Sequence, residues 1–180
     1  MADPHNIKIL PSKFMRELRP HYYSDTEDRV LYVLDAATLD HHLETITNRN
    51  ETHDFELFAR KLCERAVCPN LRPSTGPEGG GDSKADTETL PIADEISRFY
   101  IGVANSGREH WAFAFSTKKK WSEKVRDDVR GIIDTKRPYV RIICVTARYA
   151  RDRDRARIEQ ELSEAYGVRV TILDRSWIKK

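Results

Sequence analysis

Two carboxylates at alternate positions, Asp86 and Glu88, close a glycine-rich stretch, TGPEGGGDSKADTET from Thr75 to Thr89, that also holds Asp82. Alternation and threonine content predict a strand from about Lys84 to Leu90, and a period of two then puts Asp86 and Glu88 on one face. Carboxylates so placed repel each other and lose hydration unless a cation or a basic partner sits between them. Oxygen donors of this kind suit a hard divalent ion, Mg²⁺ or Mn²⁺. The glycines invite a different reading, because GPEGGGDS has the G-x-x-x-x-G-K-[ST] spacing of a phosphate-binding loop with Asp82 in the place of the lysine. An aspartate there repels the phosphates that a lysine neutralises, so nucleotide binding is the weaker reading.

A basic partner for the acids is offered by WAFAFSTKKKW, which begins at Trp111. As a strand it shows Trp111, Phe113 and Phe115 on one face and Ala112, Ala114 and Ser116 on the other, with Lys118 continuing the small-residue face and Lys119 across the pleat. A lysine beside carboxylates can hold an attacking water or a scissile phosphate, while a metal neutralises charge developing on phosphorus. Taken alone, the lysine run is equally well explained as the solvated start of a loop. Glu56 is a third component. It lies at the start of a helix predicted from Asp54, off an apolar stripe at 55, 58, 59, 62, 63 and 66. Its ordinary role is to complement the helix dipole, but it is also placed to reach a metal over the sheet. Glu64, two turns on, is a weaker substitute.

These residues need a scaffold. Thr52 or Asp54 is expected to cap the Glu56 helix, and Pro69 to end it. WSEKVRDDVRGIID, from Trp121, predicts a helix capped by Ser122, with Val125, Val129, Ile132 and Ile133 inward. YVRIICVT, RDRDRARIEQELSEAYG and VRVTILD read as strand, helix ending at Gly167, and strand, a crossover that makes its two strands parallel neighbours. IADEISRFYIG and DAATLDHHLETIT are expected as short helices, and adjacent His41 and His42 point about 100° apart, unsuited to chelation. The resulting class is α/β, a sandwich with a mixed sheet over residues 51–180, preceded by an N-terminal helical extension over 1–50.

A length of 180 residues suits one domain with a core, and 39% hydrophobic with 33% charged residues describes a globular chain. No apolar run approaches the ~20 residues of a membrane helix, and MADPHNIKIL lacks a signal-peptide core, so a cytoplasmic protein without a membrane partner is expected. Cys63, Cys68 and Cys144 form no C-x-x-C pair and are read as reduced packing residues. The net charge is only +2, yet residues 136–180 hold twelve basic and six acidic side chains, a distribution that could face phosphates.

In order, a helix with Glu, a strand with Asp, a strand ending in Lys, then helix and strand, the chain resembles the PD-(D/E)XK nuclease superfamily, whose restriction-endonuclease-like fold is an αβα sandwich around a mixed sheet. GGGDSKAD is similar to the G-x-G-D-x-G-x-D element of the Mrr-like branch. THDFELFARKLCERAVCPNLRP, TGPEGGGDSKADTET and WAFAFSTKKKWSEKVRDDV resemble nuclease domains at the N-termini of large bacterial anti-phage defence proteins. The likeness spans residues 52–178. It implies a Mg²⁺- or Mn²⁺-dependent endonuclease acting on double-stranded DNA, the effector domain of a larger protein that assembles as a homo-oligomer through fused or associated sensor domains. An end at RSWIKK, just after the last strand, suits that expectation.

Residue by residue, the resemblance puts the metal-binding aspartate on Asp86, with Asp82 as the alternative, the lysine on Lys118 and the helix glutamate on Glu56. Two positions before the lysine, where the superfamily has Glu or Gln, stands Ser116, and Glu88 is the candidate to compensate as a metal ligand. Ser116, Lys119 and Lys120 are expected to face the substrate. The Ser116 departure also motivates the alternative, a catalytically inactive module of the same fold that binds DNA or serves assembly.

Overall fold

The structure, a computed structural model, describes residues 34–72, 84–92 and 106–180. Of the two units into which the chain divides, Met1–Leu34 lies almost wholly outside the described residues, and Asp35–Lys180 carries the fold. Asp82 with its glycine loop and the helix expected from IADEISRFYIG also lie outside the described residues. The elements are α1 (Ala36–Thr45), α2 (Thr52–Ala66), β1 (Thr87–Glu88), β2 (Trp111–Ser116), α3 (Trp121–Asp134), β3 (Arg141–Thr146), α4 (Asp152–Tyr166), β4 (Arg169–Leu173) and α5 (Arg175–Ile178). This is an α/β fold with a four-stranded mixed sheet in the order β1-β2-β3-β4. β1 runs antiparallel to β2, while β2, β3 and β4 are parallel. The crossover read from the sequence thus makes β3 and β4 neighbours.

The central strands are buried on both faces, and their alternation decides which helix lies where. Trp111, Phe113 and Phe115 of β2 join Ile143 and Val145 of β3 in one core with Phe55, Ala59 and Cys63 of α2. Ala112, Ala114, Ile142 and Cys144 point the other way, into a second core with Val125, Val129 and Ile132 of α3 and Ile158 and Leu162 of α4. Small residues on the second face let α3 lie close over β2. All three cysteines are buried, as packing residues should be. No helix among the described residues is long and apolar enough to cross a membrane.

Helix ends follow local chemistry with two departures. Asp35 caps α1 by accepting the Thr38 N–H at 3.1 Å. α2 starts at Thr52 with Glu51 in the cap position, and α3 starts at Trp121 with Lys120 there, so Ser122 falls inside the first turn. Neither has a side-chain cap. α4 ends as predicted at Gly167, which donates its N–H to the Ser163 carbonyl and, with a φ of 67°, turns the chain out of the helix in the left-handed conformation. α1, within the stretch expected as an extension, is held to the sheet by two buried arginines. Arg175 binds Asp40 and Glu44, and Arg148 donates to the carbonyls of Glu44 and Thr117. Satisfying a buried guanidinium this way offsets its desolvation.

Two glycines in this frame predict opposite outcomes for one substitution. At Gly131, inside α3, an added Cβ meets only the Lys84 side chain at 3.8 Å, an ordinary contact. Gly131→Ala should therefore raise stability by about 0.5–1 kcal/mol. Gly167→Ala should lower it by about 1 kcal/mol, because its open surroundings do not relieve the left-handed backbone. Urea unfolding midpoints of the two variants moving in the same direction would contradict this account.

Candidate active site

Because β1 is antiparallel to β2, the chain entering β1 passes the C-terminal end of β2. Lys84, at φ 54°, turns the backbone there. The Asp86 N–H then bonds the Phe113 carbonyl at 2.9 Å, and the Asp86 carboxylate accepts the Phe115 N–H. A side chain thus occupies a place in the ladder that backbone would otherwise fill. This is why the strand predicted over 84–90 shortens to Thr87–Glu88, extended only by a bridge between Leu71 and Thr89.

Around this point lies a cavity of about 470 Å³. Its walls bring together Glu56 from α2, Asp86 from the edge of the sheet, Ser116 and Lys118 from the end of β2, and Lys124 and Asp128 from α3. The cavity forms where the two cores run out. Beyond Ala114, the small face of β2 offers only the Ser116 hydroxyl, which accepts the Lys118 backbone N–H at 3.2 Å. Gly131 on α3 adds no side chain. Lys118 itself is exposed at the mouth.

Electrostatics single out Asp86. The residue is exposed to water, but the protein packed around its carboxyl desolvates it in part and pushes it up to about 6. The Phe115 N–H and the Lys124 charge work against that rise, and the charges of Glu56 and Asp128 add to it. Asp128 is also raised, by burial first, with the bond from Lys124 opposing. Glu56 lies 3.7 Å from His53 one turn earlier.

Glu88 sits elsewhere. It shares a sheet face with Asp86 but pairs with Ala112, about 7 Å further along the strand, and is not among the cavity's lining residues. Its buried carboxylate accepts from Tyr139 Oη at 2.6 Å and Arg72 Nη1 at 2.6 Å, with Arg137 Nη1 and His110 Nε2 at 3.2 Å. Burial alone would raise its carboxyl. The Tyr139 hydroxyl and the charges of His110, Arg137 and Arg72 outweigh that and hold it below the usual range. Lys119, across the pleat, acts on Glu44 of α1, and Lys120 pairs with Glu123 at 3.3 Å. Neither lines the cavity. Glu64 is engaged by Arg60 within α2.

Among the described residues, no group of three His, Cys, Asp or Glu side chains is gathered closely enough to hold a metal ion. The donor chemistry of the cavity still fits a hard cation that keeps part of its water. Asp86 and Glu56 present carboxylate oxygens to one space, and their mutual repulsion is visible in the raised Asp86. Mg²⁺ is ordinarily held by one or two carboxylates, water and substrate phosphate rather than by an all-protein cage.

Lys124 and Asp128 were not singled out by the motifs. A signal for them exists: 124, 128 and 131 follow the i, i+4, i+7 row beside the buried row 125, 129 and 132, so they flank the stripe that faces β2.

The raised Asp86 carboxyl fixes the sign of a pH effect. Between the ordinary value of 3.8 and about 6, the folded chain keeps a proton that the unfolded chain has lost. This contribution favours folding on the acid side and is lost as pH rises through that window. Asp86→Asn cannot ionise yet still accepts the Phe115 N–H. It should exceed the wild type in stability near neutral pH by roughly 1 kcal/mol, allowing for solvent screening, and match it near about pH 4. Urea titrations at the two pH values test this, and a pH-independent difference would refute it. Glu88→Gln should instead cost about 1–3 kcal/mol near neutral pH, because Arg72 and Arg137 lose the buried carboxylate they pair with. A loss below 0.5 kcal/mol (the size of a surface effect) in the same assay would show that the cluster does not anchor β1.

No protein-family model matches this chain, and no curated protein or solved structure is similar enough to it to count as a match.

Proposed function

We propose that this chain is a metal-dependent DNA endonuclease domain of the restriction-endonuclease-like type, with Asp86, Glu56 and Lys118 as its working residues. One observation carries the reading: side chains from α2, the sheet edge and the end of β2, separated by 62 positions between Glu56 and Lys118, line a single cavity. The order of motifs in the sequence supports the same assignment. The volume suits a phosphodiester entering from the mouth. Asp86 and Glu56 would hold Mg²⁺ or Mn²⁺, and what such an ion supplies when bound is activation of water and neutralisation of charge on phosphorus. The Lys118 ammonium orients the attacking water or a non-bridging phosphate oxygen. In the reaction a water oxygen bonds to phosphorus, a P–O ester bond breaks and the leaving oxygen departs as a hydroxyl. Double-stranded DNA is the proposed substrate, approached through backbone contacts from the basic C-terminal part. The domain would act in the bacterial cytoplasm as the effector of a larger, oligomeric anti-phage protein.

Ser116 favours a second reading, a module of this fold that binds DNA or serves assembly without cutting it. The serine hydroxyl is turned back on the Lys118 N–H, where the resembled family has a Glu or Gln. Supercoiled plasmid with Mg²⁺ or Mn²⁺ separates the two. The endonuclease reading expects nicked and linear products that disappear in EDTA and fall at least a hundredfold in Asp86→Ala and Lys118→Ala, both still folded by circular dichroism. Plasmid retarded in a gel but left intact favours the second reading. Cutting that survives EDTA, or a fully active Asp86→Ala protein, refutes the first.

A further inference from the structure

Lys124 has no part in the motif-based assignment, yet it is the cavity cation that the fold holds in place. Two ion pairs lie within α3, and another joins its N-cap, Lys120, to its first turn. Lys120–Glu123 leaves its side chains 79% and 65% exposed and Arg130–Asp127 leaves 62% and 70%, whereas Lys124 and Asp128 are only 32% and 16% exposed. The first two are ordinary solvated pairs of little energetic consequence. The third gives up hydration at both ends, a cost that a solvated helix face avoids. Its surroundings show where the charge is spent: Lys124 and Asp128 line the cavity with Glu56, Asp86 and Lys118, and the Lys124 charge acts directly on Asp86. The row 124, 128, 131 ends in a glycine, which adds no side chain to the wall beside Lys84. Lys118 and Lys84, the other lysines of the cavity, are exposed side chains.

We propose that Lys124 is a second substrate-facing cation of this site, contacting a phosphate oxygen of the bound DNA backbone, and that Asp128 is the positioning residue that holds its ammonium at the cavity wall. This rests on the endonuclease reading. A lysine held by an ion pair in the cavity wall does what a mobile surface lysine cannot: it presents its ammonium at a fixed place with less ordering cost at the moment of binding.

The test uses the full chain and a short fluorescein-labelled DNA duplex, with anisotropy read in Ca²⁺ over a range of salt and cleavage read separately in Mn²⁺. Lys124→Ala should lower the slope of log affinity against log salt by about one, the signature of one lost phosphate contact, and cut kcat at least tenfold. Lys124→Arg should restore the slope and part of the rate. Asp128→Asn keeps the lysine, so the slope should stay while kcat falls with KM little changed. A lysine that only braces α3 would lower the melting temperature and leave the slope alone. A wild type that binds and cuts, with Lys124→Ala keeping the full slope, overturns the assignment by itself. Asp128→Asn cutting at the wild-type rate overturns the positioning role. A wild type that neither binds nor cuts the duplex removes this assignment and the endonuclease reading together.

Discussion

Everything in this fold is arranged around a strand whose two faces differ in size. β2 is buried along its whole length, with aromatic rings on one side and alanines on the other. The aromatic face requires a partner with its own small and apolar stripe, which α2 supplies through Phe55, Ala59 and Cys63. The alanine face draws α3 and α4 in close, with Val129 and Ile132 filling the space that small side chains leave. The sheet is thereby sandwiched between helices that arrive with their N-terminal turns near the end of β2. Where the alternation ends, at Ser116, β2 adds no further side chain to either core, and a polar cavity lies beside it.

That boundary gives the carboxylates their character. Asp86 is exposed, yet it belongs to the ladder through its bond with Phe115 and to the cavity through its charge. Partial desolvation and two neighbouring acids raise it, and the clamped Lys124 limits the rise. Glu88, one pleat further on, meets the opposite condition. Three basic groups and a tyrosine hydroxyl satisfy its carboxylate and fasten the short edge strand to the segment that precedes β3. Two acids two residues apart thus meet opposite surroundings: one carboxyl is raised by them and the other is lowered.

The buried arginines tie α1 and the turn that follows it to the edge of the site. Arg148 reaches from the end of β3 to the Thr47 hydroxyl and the Thr117 carbonyl, and Arg175 grips Asp40 and Glu44 of the helix. These bonds fix the wall of the cavity that carries Thr47 and Thr52. Hydrogen-bonded charges at such a corner are costly to desolvate and unforgiving of misplacement, so they specify one arrangement rather than add much stability.

Much of this was legible in the chain before any coordinates. Period-two alternation in WAFAFS, period-3.6 stripes in α2 and α3 and the glycine after α4 are local signals, and each produced its element nearly as read. The short reach of β1 was not legible, because a side-chain carboxylate replaces backbone pairing there and no propensity encodes that exchange. Nor could spacing alone separate Asp86 from Glu88. A period of two places both on one face, and only the partners brought by residues 72, 110, 137 and 139 decide which acid is neutralised. In the sequence Lys124 and Asp128 are simply oppositely charged residues four apart on a helix. What singles them out is the helix rotation that the α3 apolar stripe imposes against β2, a property of packing between distant segments. Sequence by itself determined the elements, their faces and most of the acids and lysines available for chemistry, since those follow from neighbours in the chain. Tertiary structure decided which of them share a cavity, because that depends on where two cores built from opposite faces of one strand come to an end.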